Sequence, residues 1–229
     1  MQTAAVPAGI SLGETVGPQV HRLLRRRIIQ AELLPGERLS ESEVAKALSV
    51  SRQPVREAFI KLSEEGLVQV LPQRGTFVTK ISVAAVMDAR FVREAIEADV
   101  VRMVAESRSA GAIDELRRQV AQQKSVPHND RAAFLRLDEL FHRTLAASAG
   151  KSYAWNVIEG VKAQMDRVRF LSVDDMHVTR LIDQRERIVE AIASGDRNGA
   201  EQAMRLHLRE ILNSLPAIAS GRAELFDRD

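Results

Sequence analysis

Hydrophobic positions change their spacing twice along the chain. From Pro18 to about Leu33, Val20, Leu23, Leu24, Ile28 and Ile29 recur as one face of a helix, with Arg22, Arg25, Arg26 and Arg27 opposite, and Leu34-Pro35-Gly36 ends it. Ser40 with Glu43 three residues on forms a capping box, in which each side chain satisfies a backbone amide, so a second helix begins at about Glu41 with Val44, Ala45 and Leu48 inward. The pattern breaks at Ser49-Val50-Ser51, and Ser51 can cap a third helix whose buried stripe is Val55, Phe59 and Leu62. Arg52, Gln53 and Arg56 are left on the open face of its first turn and a half. The period then falls to two: Leu67 to Leu71 alternates as a strand, Pro72 to Thr76 reads as a turn, and Phe77-Val78-Thr79 as a return strand.

After Lys80 the strand signals stop. Residues from Ser82 to about Ser214 read as long amphipathic helices, broken near Ser109-Ala110-Gly111, Val126-Pro127-His128-Asn129, Ala149-Gly150-Lys151-Ser152, Val173-Asp174-Asp175 and Gly195-Asp196. That spacing predicts about six helices packed as a bundle, with the chain after Leu215 fraying, and no repeat unit of a solenoid is visible. The expected fold is mainly α: a mobile tail over 1–17, a winged helix-turn-helix domain over 18–80, and an all-helical domain over 81–229.

Composition narrows the class without naming a function. Apolar content of 45% with 28% charged residues in 229 is that of a water-soluble globular chain. No apolar run approaches the ~18 to 20 residues that span a bilayer, and the N-terminus lacks a basic segment followed by an apolar one, so cytoplasm is the expected location. The chain has no cysteine, which removes disulfides, thiolate metal sites and cysteine nucleophiles together. Net charge is +2 but uneven: residues 18–80 hold 11 Lys and Arg against 7 Asp and Glu, a net +4, whereas 81–229 hold 22 against 23. A basic excess confined to the first third favours nucleic-acid contact there.

Two helices joined by a tight turn, the second presenting arginines, match a helix-turn-helix that places its second helix in the major groove. A planar guanidinium bonds guanine O6 and N7 in pairs or clamps a phosphate. The competing reading has Arg52 and Arg56 solvated and paired with Glu57 or Glu64. The hairpin that follows favours DNA, since Gly75 at a wing tip lets backbone approach a duplex and Arg74 beside it can reach a phosphate or the minor groove. The run from Leu34 through Val78, with PGERLSESEVAKAL, VSRQPVREA, LSEEGLV and RGTFV, resembles the DNA-binding domain of the GntR superfamily of bacterial transcription regulators. That resemblance implies DNA contacts by Arg38, Arg52 and Arg56, with Ser51, Gln53, Arg74, Gly75 and Thr76 in the same interface, and a dimer on a short palindrome.

In the helical part, LRLDELFHRTL places Asp138, Phe141, His142 and Leu145 on one face, so a carboxylate and an imidazole point inward. His207 lies beside Met204, Leu208 and Ile211 on another buried stripe. One carboxylate and two imidazoles suit zinc, nickel or manganese with open positions, although a self-bonded Asp-His pair is an equally simple reading. His21, His128 and His177 read as surface residues.

RFVREAIEADVVRMVAE, LDELFHRTLAASAGKS, ERIVEAIASGDRNGAEQAM and RLHL resemble the FCD domain of the FadR branch of that superfamily, many of which hold a metal through an aspartate and three histidines. Asp138, His142 and His207 fall on three of those positions. The fourth is Arg185, which stays protonated and cannot ligate a metal. Either three ligands keep a metal with water or Gln184, or the metal is lost and Arg185 binds an anionic effector. Lys151, where the family often has asparagine, adds positive charge, and Arg93 and Arg167 are further candidates for the effector, unless these arginines pair with Glu94, Asp166 or Asp183.

A ligand-responsive repressor follows as an expectation, a homodimer whose DNA affinity is lowered by a small carboxylate that prefers another arrangement of the bundle. The first bundle helix, with Val86, Val92, Val100 and Val104, is the candidate dimer face. The alternatives are a metal-dependent enzyme in which Asp138, His142 and His207 activate water, and a DNA-binding protein that senses no effector.

Overall fold

The computed structural model describes residues 14–127, 129–172 and 175–227, with residues 175 and 176 described in backbone only. Residues 1–13 of the expected tail, His128, and the break at 173–174 therefore lie outside the described residues. The chain divides into two compact units, residues 1–82 with 224–229, and residues 83–223.

In the first unit, α1 (Val16–Ile29) starts two residues before Pro18, which sits in the first turn, where its missing N–H costs nothing. Next come β1 (Arg38–Leu39), α2 (Glu41–Leu48), α3 (Arg52–Glu64), β2 (Val68–Leu71) and β3 (Gly75–Val78). The Ser40 side chain accepts from the Glu43 amide at 3.4 Å, which is one half of the expected capping box, the return bond from the Glu43 side chain being absent among the described residues, and Ser49 turns the chain in the left-handed region at φ 54°. Ser51 occupies the cap of α3 with no side-chain cap bond, so its hydroxyl is not used up in holding the helix. Val20, Leu24, Ile28, Val55, Phe59, Leu62 and Leu67 are the buried core that packs α1 on α3. Each such side chain taken from water contributes about 1.5–3 kcal/mol.

The wing is a three-stranded antiparallel sheet in the order β1-β3-β2, with Leu39 opposite Thr76 and Leu71 opposite Gly75. Two residues of β1 carry no alternation signal, which is why only the hairpin was expected. The C-terminal residues also pair here: Ile81 bridges Phe226, with Ile81 N donating to Leu225 O at 2.8 Å, and Leu225 and Phe226 are buried.

The described residues of the second unit form α4 (Val83–Ser107), α5 (Ala110–Lys124), α6 (Arg131–Ser148), α7 (Ser152–Val161), α8 (Ala163–Ser172), α9 (Asp175–Ser194), α10 (Arg197–Leu208) and α11 (Ile211–Gly221). All six expected helices are found, two of them split. Lys162 interrupts one, two residues after Gly160, which weakens a helix. The other closes at Arg209-Glu210, where Glu210 N donates to His207 O and Leu212 N to Arg209 O, the tighter turn that ends one helix and starts the next. Beyond Leu215, expected to fray, α11 continues to Gly221.

α4 packs against α6, α8, α9 and α10 and is buried on several sides, so it shows little amphipathicity. Val86, Val100 and Val104 are buried in the protomer's own core and are not free to form a dimer face. The exposed large apolar side chains of that helix are Phe91, 67% exposed, and Met103, 39% exposed. Among the described residues no helix is long and apolar enough to cross a membrane.

Candidate functional site

Two places in the chain concentrate chemistry. The first is the open face of α3, where Arg52 and Arg56 project with side-chain exposures of 65% and 58%. Neither pairs with Glu57 or Glu64. Both reach back to Glu41 on α2, Arg56 through two bonds of 3.2 Å and Arg52 through one of 3.5 Å, while Gln53 donates to Glu57 at 3.1 Å. Burial is slight, and the Arg56 hydrogen bond holds the Glu41 carboxyl below its usual range. At the wing tip Gly75 has φ +112°, and a Cβ there would lie 2.9 Å from Nε of Arg38. The glycine therefore leaves room for the Arg38 side chain across β1 and β3. Arg38 and Arg74 are exposed, but the Thr76 side chain is buried, because its turn of the β3 alternation faces the core.

Of the arginines opposite the apolar face of α1, Arg25 and Arg27 have partners inside the unit. Arg25 and His21 both bond Glu65, and Arg27 is buried against Glu32.

The second place is a buried polar cluster in the helical unit. Asp138 and His142 from α6 and His207 from α10 converge, with ligand-type atoms all within 4.8 Å of one another. Their tautomers follow from the neighbours. Burial pushes the Glu97 carboxyl up, but Arg93 and His142 beside it outweigh burial and hold it at about 2. An ionised carboxylate only accepts, so His142 donates from Nδ1 to Glu97 and presents a bare Nε2. Gln184 donates from Nε2 to Glu210 at 2.8 Å, which turns its Oε1 to His207 Nδ1 at 3.0 Å and leaves His207 Nε2 bare as well. The two Nε2 atoms face each other at 3.3 Å. Both rings are neutral: burial, and then Arg93 and Arg185 against the pull of Glu97, bring His142 to about 4, while burial and Arg185 push His207 well below its usual value.

Asp138 is already occupied. Arg185 from α9 donates to one of its oxygens and Arg169 from α8 to the other. Arg185 is fully buried, donates its other terminal nitrogen to Gln123 at 2.7 Å, and lies 5.2 Å over the Phe134 ring. Burial and Arg93 lower it to about 9, which leaves it protonated at neutral pH.

The donor set fits a resident divalent ion only in its two imidazoles. The carboxylate is shared by two guanidiniums, and the remaining position is itself a cation. Asp138 and Glu97 are already paired with Arg93, Arg169 and Arg185. Like charges ~4 Å apart repel by about 4 kcal/mol per unit pair at an effective dielectric of 20, doubled for a divalent ion. The residues present therefore do not fit that ion.

Beside the cluster lies a small cavity whose wall includes Arg93, Asp138, Arg169, His177, His207 and Glu210. Its interior admits the centre of a water-sized sphere over about 40 Å³, space for a few waters. Arg93 donates from Nε to Glu97 at 2.5 Å, and its Nη2 is buried without a hydrogen-bond partner among the described residues. Arg169 is squeezed by burial and by Arg93 and Arg185, all of which disfavour its charge.

Of the candidate effector residues, the fold brings Arg93 to the cavity wall. Arg185 is sealed behind Asp138, Arg167 is buried and donates to Gln164 at 3.2 Å, and Lys151 is exposed at the start of α7. Arg93 and Arg185 pair with Glu97 and Asp138 instead of Glu94 or Asp183. Sequence reasoning missed Arg169 and read His177 as a surface residue, whereas it lines the cavity. Their signals were local, Met165, Arg169 and Ser172 on one face of α8, and His177, Leu181 and Gln184 on one face of α9.

Comparison with known proteins follows this geometry. Residues 17–78 match the bacterial regulatory proteins of the gntR family, and residues 88–210 match the FCD domain. The chain is 40% identical over 220 residues to the HTH-type transcriptional repressor RspR of Escherichia coli (strain K12), covering 94% of this chain and 96% of that one. Among solved structures, a GntR transcriptional regulator from Rhodococcus sp. RHA1 superposes with a TM-score of 0.67 at 28% identity, covering 88% of this chain and 98% of that one. E. coli McbR/YncC shares the fold at a TM-score of 0.74 and 20% identity, covering 92% and 99%.

Proposed function

The chain belongs to the gntR family of bacterial regulatory proteins, with an FCD domain following its winged helix, and from that premise we propose a repressor released from DNA by a small carboxylate. It is a transcriptional regulator, and its relatives' role in transcription removes the enzyme alternative. In the proposed complex α3 enters the major groove. Arg52, Gln53 and Arg56 meet base edges and phosphates, the Ser51 hydroxyl and Arg38 take backbone phosphates, and Arg74 with Gly75 carries the wing to the minor groove. Thr76, buried in β3, shapes the wing without touching DNA by its side chain. The exposed row Arg52, Gln53 and Arg56, set at the start of a helix beside a hairpin, carries this reading.

Sensing is assigned to the cavity beside Asp138. A carboxylate entering there meets Arg93, whose Nη2 has no partner, and Arg169. Arg167, Lys151 and Arg185 do not reach that space and take no direct part. Two copies of the chain read two half-sites of a palindrome in the cytoplasm, and an effector that prefers a different helix arrangement loosens both.

The reading is tested by selecting operators from random duplexes and measuring their binding by fluorescence anisotropy with and without a panel of small organic acids. Saturable binding that one acid weakens supports it. Failure to select any duplex removes the DNA assignment, and selection with no acid effective, and none raising the melting temperature, favours a DNA-binding protein without an effector.

A further inference from the structure

Asp138 is 1% exposed and Arg185 is 0% exposed, so the carboxylate needs a cation inside the protein and this guanidinium supplies it. The two imidazoles beside the pair keep the arrangement that a metal would use. Glu97 and Gln184 take the Nδ1 protons of His142 and His207, and the bare Nε2 atoms converge. We infer that the guanidinium of Arg185 stands in the place of a divalent ion, so that this sensory domain works without metal, with Arg185 as a fixed cation for Asp138 and Arg169 as a movable one that an entering anion can draw away.

Arg185 is the fixed cation. Gln123 holds its far nitrogen at 2.7 Å, Phe134 covers its face, and it takes no part in the cavity wall. Arg169 is the movable one: its side chain is 18% exposed and lines the cavity, and its anchor besides Asp138 is a long bond of 3.4 Å to Asp166. When Arg169 turns from Asp138 to an incoming carboxylate, Arg185 still neutralises Asp138. The ligand class is therefore a small carboxylate that takes one hydrogen bond from the free nitrogen of Arg93 and others from Arg169. The ligand arm rests on the proposed sensory role of this cavity, whereas the metal arm does not.

The experiment compares the full chain with Arg185→His, both purified without chelator. Metal per chain is measured by elemental analysis, and zinc, nickel and manganese chlorides are titrated by calorimetry. The wild type is expected to carry only trace metal and to show no saturable uptake. Arg185→His, which restores a neutral nitrogen donor at that position, is expected to take close to one ion per chain and to lose it when His142→Ala is added. A wild type that holds about one ion, removed by His142→Ala, overturns the inference, as does a folded Arg185→His that takes up none. Circular dichroism checks folding, and if the variant fails to fold the wild-type arm decides alone. Operator binding with chelator and organic acids present separates the two claims: a response lost to chelator strikes this inference, and no response in either condition strikes only the sensory reading.

Discussion

Glu41, the first residue of α2, accepts from both Nε and Nη2 of Arg56 on α3, each at 3.2 Å. An exposed pair of this kind adds little to stability. Its consequence is for aim, because Arg52 also bonds Glu41, and the carboxylate holds two guanidiniums in one orientation ahead of DNA. A phosphate has to compete with that carboxylate. Glu41→Gln is therefore expected to raise affinity for unrelated duplex several-fold and to narrow the ratio between operator and scrambled DNA. Anisotropy titrations on both duplexes measure the ratio, and an unchanged value removes the aiming role.

Arg56→Ala removes a guanidinium that Glu41 positions for the groove. Operator affinity is expected to fall by about 1–3 kcal/mol, roughly 5- to 150-fold, with the oligomeric state by light scattering unchanged. Wild-type affinity in this variant contradicts the placement of α3.

Gly75→Ala puts a side chain at φ +112° and its Cβ 2.9 Å from Arg38 Nε. Strained backbone of this kind costs about 1–3 kcal/mol, and Arg38 must move. Both a lower melting temperature and weaker operator binding are expected from calorimetry and anisotropy. Full retention of both shows that the wing tolerates a Cβ.

Glu97→Leu strands Arg93, whose Nε bond at 2.5 Å is its buried charge partner. Breaking a buried pair from one side costs about 3–5 kcal/mol, whereas replacing both partners by apolar residues is close to neutral. Chemical denaturation should show the single variant strongly destabilised and Arg93→Met with Glu97→Leu largely recovered. Equal loss in both shows that the pair itself, and not an uncompensated charge, sets the stability.

The first unit was readable from sequence because its signals are local. Ser40, the stripe Val55, Phe59 and Leu62, and the alternation around Val70 each act within a few residues, whereas the two-residue β1 and the return of Leu225 and Phe226 to Ile81 escaped notice. The helical unit was readable in its helices and in the inward turn of Asp138, His142 and His207. Partners were not, since they come from other helices: nothing near Glu97 announces His142, 45 residues away, and nothing near Arg169 announces Asp138. Arg185 stood out as a departure from a pattern, but its burial, which makes it a partner of Asp138 instead of a cavity residue, depends on how α9 sits against α5 and α6. The valines of α4 misled for the same reason, as a helix buried on several sides presents no single face.

The proposed DNA-reading helix and the proposed anion site lie in one chain, and the coupling between them is what has to be measured. Operator affinity is determined for the wild type and for Arg169→Met, each with and without a carboxylic acid that raises the wild-type melting temperature. The wild type is expected to lose about 5- to 150-fold in affinity when the acid is saturating, and Arg169→Met to lose none. Equal weakening of both proteins, or an acid that stabilises the wild type yet leaves its operator affinity unchanged, contradicts the account.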